Sequence, residues 1–164
     1  MSGNNRLVSF VLAVLLCLPA GCKHGAKKTS LKGPAEKVEI VEQHWPDGKL
    51  RLRKHVLKHP DGTAVNHGTY SRWYNNAQKE YEAVFVMGRK EGTATLWHRN
   101  GKEWTEEHYV DGKKHGARYT WDDDGRRRKE EHYFNGKPDG TWTVWDKKGR
   151  IKWQGSFDRG IPKP

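Results

Sequence analysis

The chain has 164 residues and a net charge of +11, from 31 lysines and arginines against 20 acids, which leaves room for one domain and is more basic than a cytosolic protein usually is. Hydrophobic residues make up 34%, against roughly 45–50% apolar in an ordinary globular chain, so a conventional layered fold with a deep core is excluded. Full disorder is excluded too, because the aromatic content of 11% contradicts the aromatic-poor composition of highly charged unfolded chains.

The chain opens with Arg6 and an apolar run over residues 7–18, shorter than the roughly 20 residues of a spanning helix, so residues 1–21 read as a helical signal peptide for export. The run ends in Leu18-Pro19-Ala20-Gly21-Cys22, which resembles the lipobox of bacterial lipoproteins, with Pro19 in the place where that motif usually has leucine. The resemblance implies that Cys22 is lipidated and becomes the mature N-terminus; the alternative is plain cleavage after Ala20. Cys17 leaves with the signal, and without a lipid Cys22 would be a lone thiol in an oxidising compartment. With both cysteines accounted for, disulfides, thiolate metal sites and cysteine nucleophiles are excluded. A two-chain lipid gives stable membrane anchoring. Residues 22–40 carry Lys23, Lys27, Lys28, Lys32 and Lys37 among Gly25, Gly33 and Pro34 and read as a flexible basic tether. Lys23 at the second mature position resembles exported lipoproteins of the outer membrane.

The strongest signal is internal repetition. Gly68, Gly92, Gly116 and Gly140 are spaced by 24 residues. Five positions after each comes Trp73, Trp97, Trp121 or Trp145, and nine after comes Ala77, Gly101, Gly125 or Gly149. Seventeen after comes Phe85, Tyr109, Tyr133 or Phe157, and three further on Gly88, Gly112, Gly136 or Gly160. Such a period marks a repeat architecture. Residues 68–164 hold four copies and residues 41–67 a degenerate first one, about four and a half in all.

Each copy predicts a β-hairpin. Asn100-Gly101, Asp111-Gly112, Asp124-Gly125 and Asn135-Gly136 are dipeptides that accept positive φ at both central residues of a tight turn. The segments between them are rich in threonine, valine and aromatics. The fold class is therefore all-β, a single extended antiparallel meander of about nine or ten strands. Equivalent residues of successive repeats lie two strands apart, about 9.6 Å, too far for their rings to touch. The expected core is a one-sided ladder in which the aromatics alternate: Trp73, Phe85, Trp97, Tyr109, Trp121, Tyr133, Trp145 and Phe157.

Asp111-Gly112-Lys113-Lys114-His115-Gly116 and Asn135-Gly136-Lys137-Pro138-Asp139-Gly140, each after an aromatic, resemble MORN repeats, and most closely the bacterial MORN variant. The resemblance implies a hairpin-repeat fold. It associates the chain with antitoxin components of toxin–antitoxin systems and, through eukaryotic relatives, with membranes, phospholipids and protein scaffolding. An export signal argues against neutralising a cytoplasmic toxin and permits an envelope immunity role.

Catalytic and metal chemistry find little support. His108 and His132 follow Glu106 and Glu130 at the repeat period, but at two-strand separation such histidines are too far apart to share one zinc, so no metal is expected. His55 and His59 have Val56 where a His-Glu-x-x-His site needs glutamate. Asp122-Asp123-Asp124-Gly125 lacks the alternation of a calcium loop and reads as a solvated turn. Glu82, Glu106 and Glu130 read as a charged row facing basic residues on adjacent strands. Ser71 and Ser156, the serines of the repeats, lie in no nucleophile elbow. No cofactor is expected. Arg118-Tyr119-Thr120-Trp121 and the basic residues 126–129 are of the kind that binds single-stranded nucleic acid. Behind an export signal the same charges suit an acidic protein or another anionic envelope component, and nucleic acid is the disfavoured partner. Tyr119 and Trp142, outside the expected ladder, are the candidate contact residues. The resulting expectation is a non-catalytic binding or scaffolding module, anchored through Cys22 to the cell envelope, with an unidentified protein or anionic partner.

Overall fold

The computed structural model describes residues 36–164. The signal peptide, Cys22 and the tether up to residue 35 lie outside the described residues. The last part of the expected tether is already strand, because β1 begins at Lys37. The described residues form one antiparallel sheet without a helix: β1 (Lys37–His44), β2 (Leu50–Lys58), β3 (Ala64–Trp73), β4 (Lys79–Val86), β5 (Arg89–Trp97), β6 (Glu103–Val110), β7 (Lys113–Trp121), β8 (Arg127–Phe134), β9 (Lys137–Pro138), β10 (Gly140–Trp145), β11 (Ile151–Asp158) and β12 (Ile161–Pro162). Strand order follows chain order, with β9 pairing beside β10 on β8. The expected all-β meander is therefore present. Its count is twelve because β9 and β10 are one strand interrupted at Asp139, whose N–H donates to the His132 carbonyl at 2.9 Å, and because β12 adds a short pair with β11.

From β3 onward two kinds of turn alternate. At one end of the sheet the pairs Met87-Gly88, Asp111-Gly112, Asn135-Gly136 and Arg159-Gly160 all have positive φ at both residues, the type I′ geometry expected from Asp111 and Asn135. At the other end, Asn100-Gly101 and Asp124-Gly125 depart from that expectation. There the glycine alone is left-handed, with φ 83° and 85°. Gly101 N–H donates to the His98 carbonyl at 2.9 Å, and His98 N–H donates to the Lys102 carbonyl at 2.8 Å. This is a type I turn closed by a left-handed bulge residue, one residue longer than a two-residue turn. A bulge on the returning strand then compensates for it: the register shifts between Leu96 and Trp97, where Trp104 is left over, and between Thr120 and Trp121, where Arg128 is.

The register of the strands overturns the one-sided aromatic ladder. Cross-strand partners share a face. Arg72 pairs with Tyr81 and Gly68 with Phe85, Tyr81 pairs with Leu96, and Leu96 with Thr105 and Gly92 with Tyr109. Phe85, Tyr109, Tyr133 and Phe157 therefore lie on one face, here the tyrosine face. Trp73, Trp97, Trp121 and Trp145 each follow a residue of that face and turn to the other. Consistent with this, Lys79 Nζ lies 5.5 Å from the Trp97 ring centre while bonding Glu82 at 2.8 Å, the opposite-face partner of Ser71. Trp121 likewise lies 5.8 Å from Tyr119.

The gap between tyrosines two strands apart is filled by lysine. Lys90 Nζ lies 5.6 Å from the Tyr81 ring centre and 4.6 Å from that of Tyr109. Lys114 Nζ lies 5.2 Å over Tyr133. Rings also meet directly toward both ends of the row, Tyr70 with Tyr81 at 5.9 Å and Phe85 at 5.8 Å, and Phe157 with Trp142 at 4.9 Å and Trp153 at 6.5 Å, Trp142 lying in turn 5.3 Å from Tyr133. Beneath them Ala83 and Ala94, each 1% exposed, form with Tyr109 the small apolar centre that one layer can bury.

The left-handed position of the longer turns is glycine at Gly101, Gly125 and Gly149, but alanine at Ala77, φ 66°. A Cβ there costs roughly 1 kcal/mol, partly offset by the entropy glycine loses. Ala77→Gly is expected to raise unfolding stability by about 0.5 kcal/mol in urea titration, whereas Gly101→Ala lowers it by about 1 kcal/mol.

Candidate binding surface

The longer turns are stitched to one another by side chains. Trp45 Nε1 donates to the Trp73 carbonyl at 3.2 Å, Tyr74 Oη to the Trp97 carbonyl at 2.8 Å, and His98 Nε2 to the Trp121 carbonyl at 3.0 Å. Each time the residue that opens one turn reaches the strand-ending tryptophan of the next hairpin. Asn76 Nδ2 to the Arg99 carbonyl at 2.8 Å and Asn100 Nδ2 to the Asp123 carbonyl at 2.7 Å add a second line of stitches.

The series stops at Asp122. A carboxylate has no proton to give at neutral pH. Instead Asp122 Oδ1 turns inward and accepts the N–H of Arg126 at 2.8 Å and of Asp124 at 3.1 Å, and the Arg126 N–H holds its pKa below the usual carboxylate range. Among the described residues no side chain donates to the Trp145 carbonyl. A groove of about 570 Å³ opens there, lined by Arg126, Arg127, Trp145, Lys147, Lys148 and Gly149.

The charge in this groove is one-signed. Arg126 pairs with Asp124. Arg127 pairs with Glu130 at 3.0 Å, and its guanidinium lies 4.6 Å over Tyr119. Lys147 and Lys148, both exposed, have no carboxylate within ion-pair distance among the described residues. Four cations line the groove, two of them ion-paired, and Asp122, Asp123 and Asp146 stand on the same two turns without lining it. One repeat earlier the same backbone frame carries Lys102, Glu103, Trp121, Asp123 and Asp124; two repeats earlier it carries Gln78, Lys79, Trp97, Arg99 and Asn100. The period thus repeats the frame while the charge varies.

The two expected contact residues separate. Tyr119 is half-buried beside this groove, under Arg127. Trp142 belongs to the framework. Its partner across the strand is Gly155, its ring packs between those of Tyr133 and Phe157 on the tyrosine face, and its Nε1 donates to the His132 carbonyl at 2.9 Å. Of the glutamate row, Glu82 pairs with Lys79 and Ser71 and Glu130 with Arg127 and His132, so the basic partners lie on the same strand rather than the adjacent one, and Glu106 has no ion pair among the described residues. His55 Nδ1 lies 3.0 Å from the Thr69 carbonyl, and His59 Nδ1 lies 3.2 Å from Glu36 Oε1. The carboxylates of Asp122, Asp123 and Asp124 lie within 4.8 Å of one another, with Asp122 capping its turn and Asp124 on Arg126.

A cluster that sequence reasoning missed lies on the tyrosine face. Glu107 accepts from Tyr109 Oη at 2.6 Å, Lys114 Nζ at 2.9 Å and Arg118 Nε at 2.7 Å. Arg118 reaches Glu131 as well. Burial tends to raise the Glu107 pKa, but these three donors outweigh it and bring it down to about 2. Burial and the neighbouring Glu107 push the Tyr109 phenol up. Glu107 and Glu131 precede Tyr109 and Tyr133 by two residues, and that spacing was the available sign that they share the tyrosines' face. Both Glu107 oxygens are occupied, so the cluster serves as a structural clamp.

Because the folded pKa of Glu107 lies below its ordinary value of 4.5, its stabilisation is present above that value and is lost as pH falls toward 2. Glu107→Gln is expected to cost about 3 kcal/mol at neutral pH, as for breaking a buried ion pair, and to flatten the pH dependence of the thermal midpoint below pH 4.5. No protein-family model matches the chain, and no curated protein matches it significantly.

Proposed function

We propose that the chain is a non-catalytic β-repeat binding module of the MORN-variant kind, exported, lipidated on Cys22 and held at the bacterial envelope, where it scaffolds an acidic partner. The observation that carries this reading is the groove at the end of the stitched turns, with four basic side chains and Trp145 around one opening. A basic surface with an aromatic floor recruits anionic partners by steering as well as by contact. The clusters of ionisable groups favour binding over catalysis. Glu107 is saturated by donors, and no acid/base pair faces the groove. The leader supports an envelope address, since the apolar run precedes a cysteine flanked by small residues.

A second reading, binding of single-stranded nucleic acid, draws on the same groove, because Trp145 and Tyr119 beside arginines match a stacking platform. It requires that the chain stay in the cytosol.

Metabolic labelling with a palmitate analogue separates the two. Wild type is expected to carry the label in the membrane fraction, with Cys22→Ala unlabelled. Absence of label on both, with the protein in the cytosol, removes the envelope reading. From labelled cells, affinity capture out of solubilised envelopes is expected to recover one dominant acidic protein that salt releases.

A further inference from the structure

We propose that the groove between the turns at residues 122–125 and 146–149 binds an extended acidic segment of a partner protein. Two adjacent carboxylates of the segment meet the basic wall, and a backbone N–H meets the carbonyl of Trp145. This deepens the binding-module reading above and rests on it.

Three observations select the ligand. The first is charge. Arg126 and Arg127 each have a counter-ion, while the exposed Lys147 and Lys148 have none among the described residues; of the acids on the same turns, Asp122 is engaged by its own turn and Asp146 by Arg150, so these two lysines are the lining cations left to meet two carboxylates. The second is the acceptor. In the three preceding hairpins the equivalent carbonyl takes a proton from Trp45, Tyr74 or His98, so the position is shaped to accept a donor that arrives from outside its own hairpin. At Trp145 that donor is missing because Asp122 stands where His98 stands one repeat earlier. A peptide supplies carboxylates and N–H groups along one chain, whereas inorganic phosphate offers its acceptor oxygens and at most two P–OH donors on a single centre. The third is size. About 570 Å³ falls within the roughly 300–1,000 Å³ of ordinary ligand sites, enough for a few residues of extended chain against the indole.

The experiment is a fluorescence-anisotropy titration of the full chain with a labelled octapeptide that carries a central Glu-Asp pair. The Gln-Asn octapeptide is the control, and inorganic phosphate and phosphatidylglycerol vesicles are competitors. Two variants accompany the wild type, each checked for an unchanged far-ultraviolet spectrum. The double variant K147Q/K148Q removes the unpaired charge from exposed positions. Asp122→His restores the missing donor, as His98 supplies it to Trp121, while making the site more positive.

The acidic octapeptide is expected to bind and the neutral one not. Binding weakens about tenfold in K147Q/K148Q and about threefold in Asp122→His despite the added positive charge. Equal binding of the neutral peptide overturns the proposal, as does tighter binding by Asp122→His. Full displacement of the peptide by equimolar phosphate or by vesicles also overturns it and assigns the groove to a simple anion or to lipid. An envelope partner captured equally well by K147Q/K148Q removes the groove from the account and leaves the binding-module reading standing.

Discussion

Among the described residues nothing packs on either face of the sheet, so it has to stabilise itself along its own surface, and here that is achieved by interleaving lysines with tyrosines. Side chains two strands apart are about 9.6 Å from each other, beyond ring contact. Lys90 spans that distance between Tyr81 and Tyr109, and Lys114 lies over Tyr133 while bonding Glu107. Aliphatic stems cover the ring faces, and the ammonium groups find π-surfaces and carboxylates. The Glu107–Arg118–Glu131 chain then closes the column across β6, β7 and β8. This explains how a domain that buries so few apolar residues supports a twelve-stranded meander. It also explains why part of its positive charge sits inside the architecture rather than on a free surface.

The same period that builds the column determines where the molecule stays open. Left-handed glycines hold the longer turns in equivalent places, and each opening residue ties its turn to the next hairpin for as long as it can donate a proton. Trp45, Tyr74 and His98 can; Asp122 cannot. A single chemical change in a repeated frame thus turns a closed edge into a groove, and the basic residues around Trp145 give that groove its sign.

Much of the architecture was legible in the sequence. The 24-residue recurrence and the Asp111-Gly112 and Asn135-Gly136 turns specify hairpins of fixed length, and type I′ geometry follows from residues that tolerate positive φ. Met87-Gly88 and Arg159-Gly160 adopt the same turn with the glycine but with no Asn or Asp before it, because the period imposes it. The side on which each aromatic lies follows from spacing that the one-sided ladder leaves out. Gly92 pairs with Tyr109 in the register that a two-residue turn at Asn100-Gly101 would also give, because the longer turn is compensated by a bulge at Trp104, so Trp97, five residues after Gly92, falls on the other face. The expected ladder assumed that only another ring could fill the space between rings, whereas a lysine stem does so. The groove was half legible. Its basic residues and Tyr119 stand out in the sequence, but the open Trp145 carbonyl emerges only from the stitches that the neighbouring turns make.

The central claim, that lysine rather than tryptophan joins successive tyrosines on one face, is tested most directly by nuclear Overhauser contacts in the folded repeat domain. The account predicts cross-peaks from the Lys90 side-chain methylenes to the rings of both Tyr81 and Tyr109, and none between the Trp97 indole and the Tyr109 ring. Strong Trp97–Tyr109 ring contacts without the Lys90 bridge would contradict it.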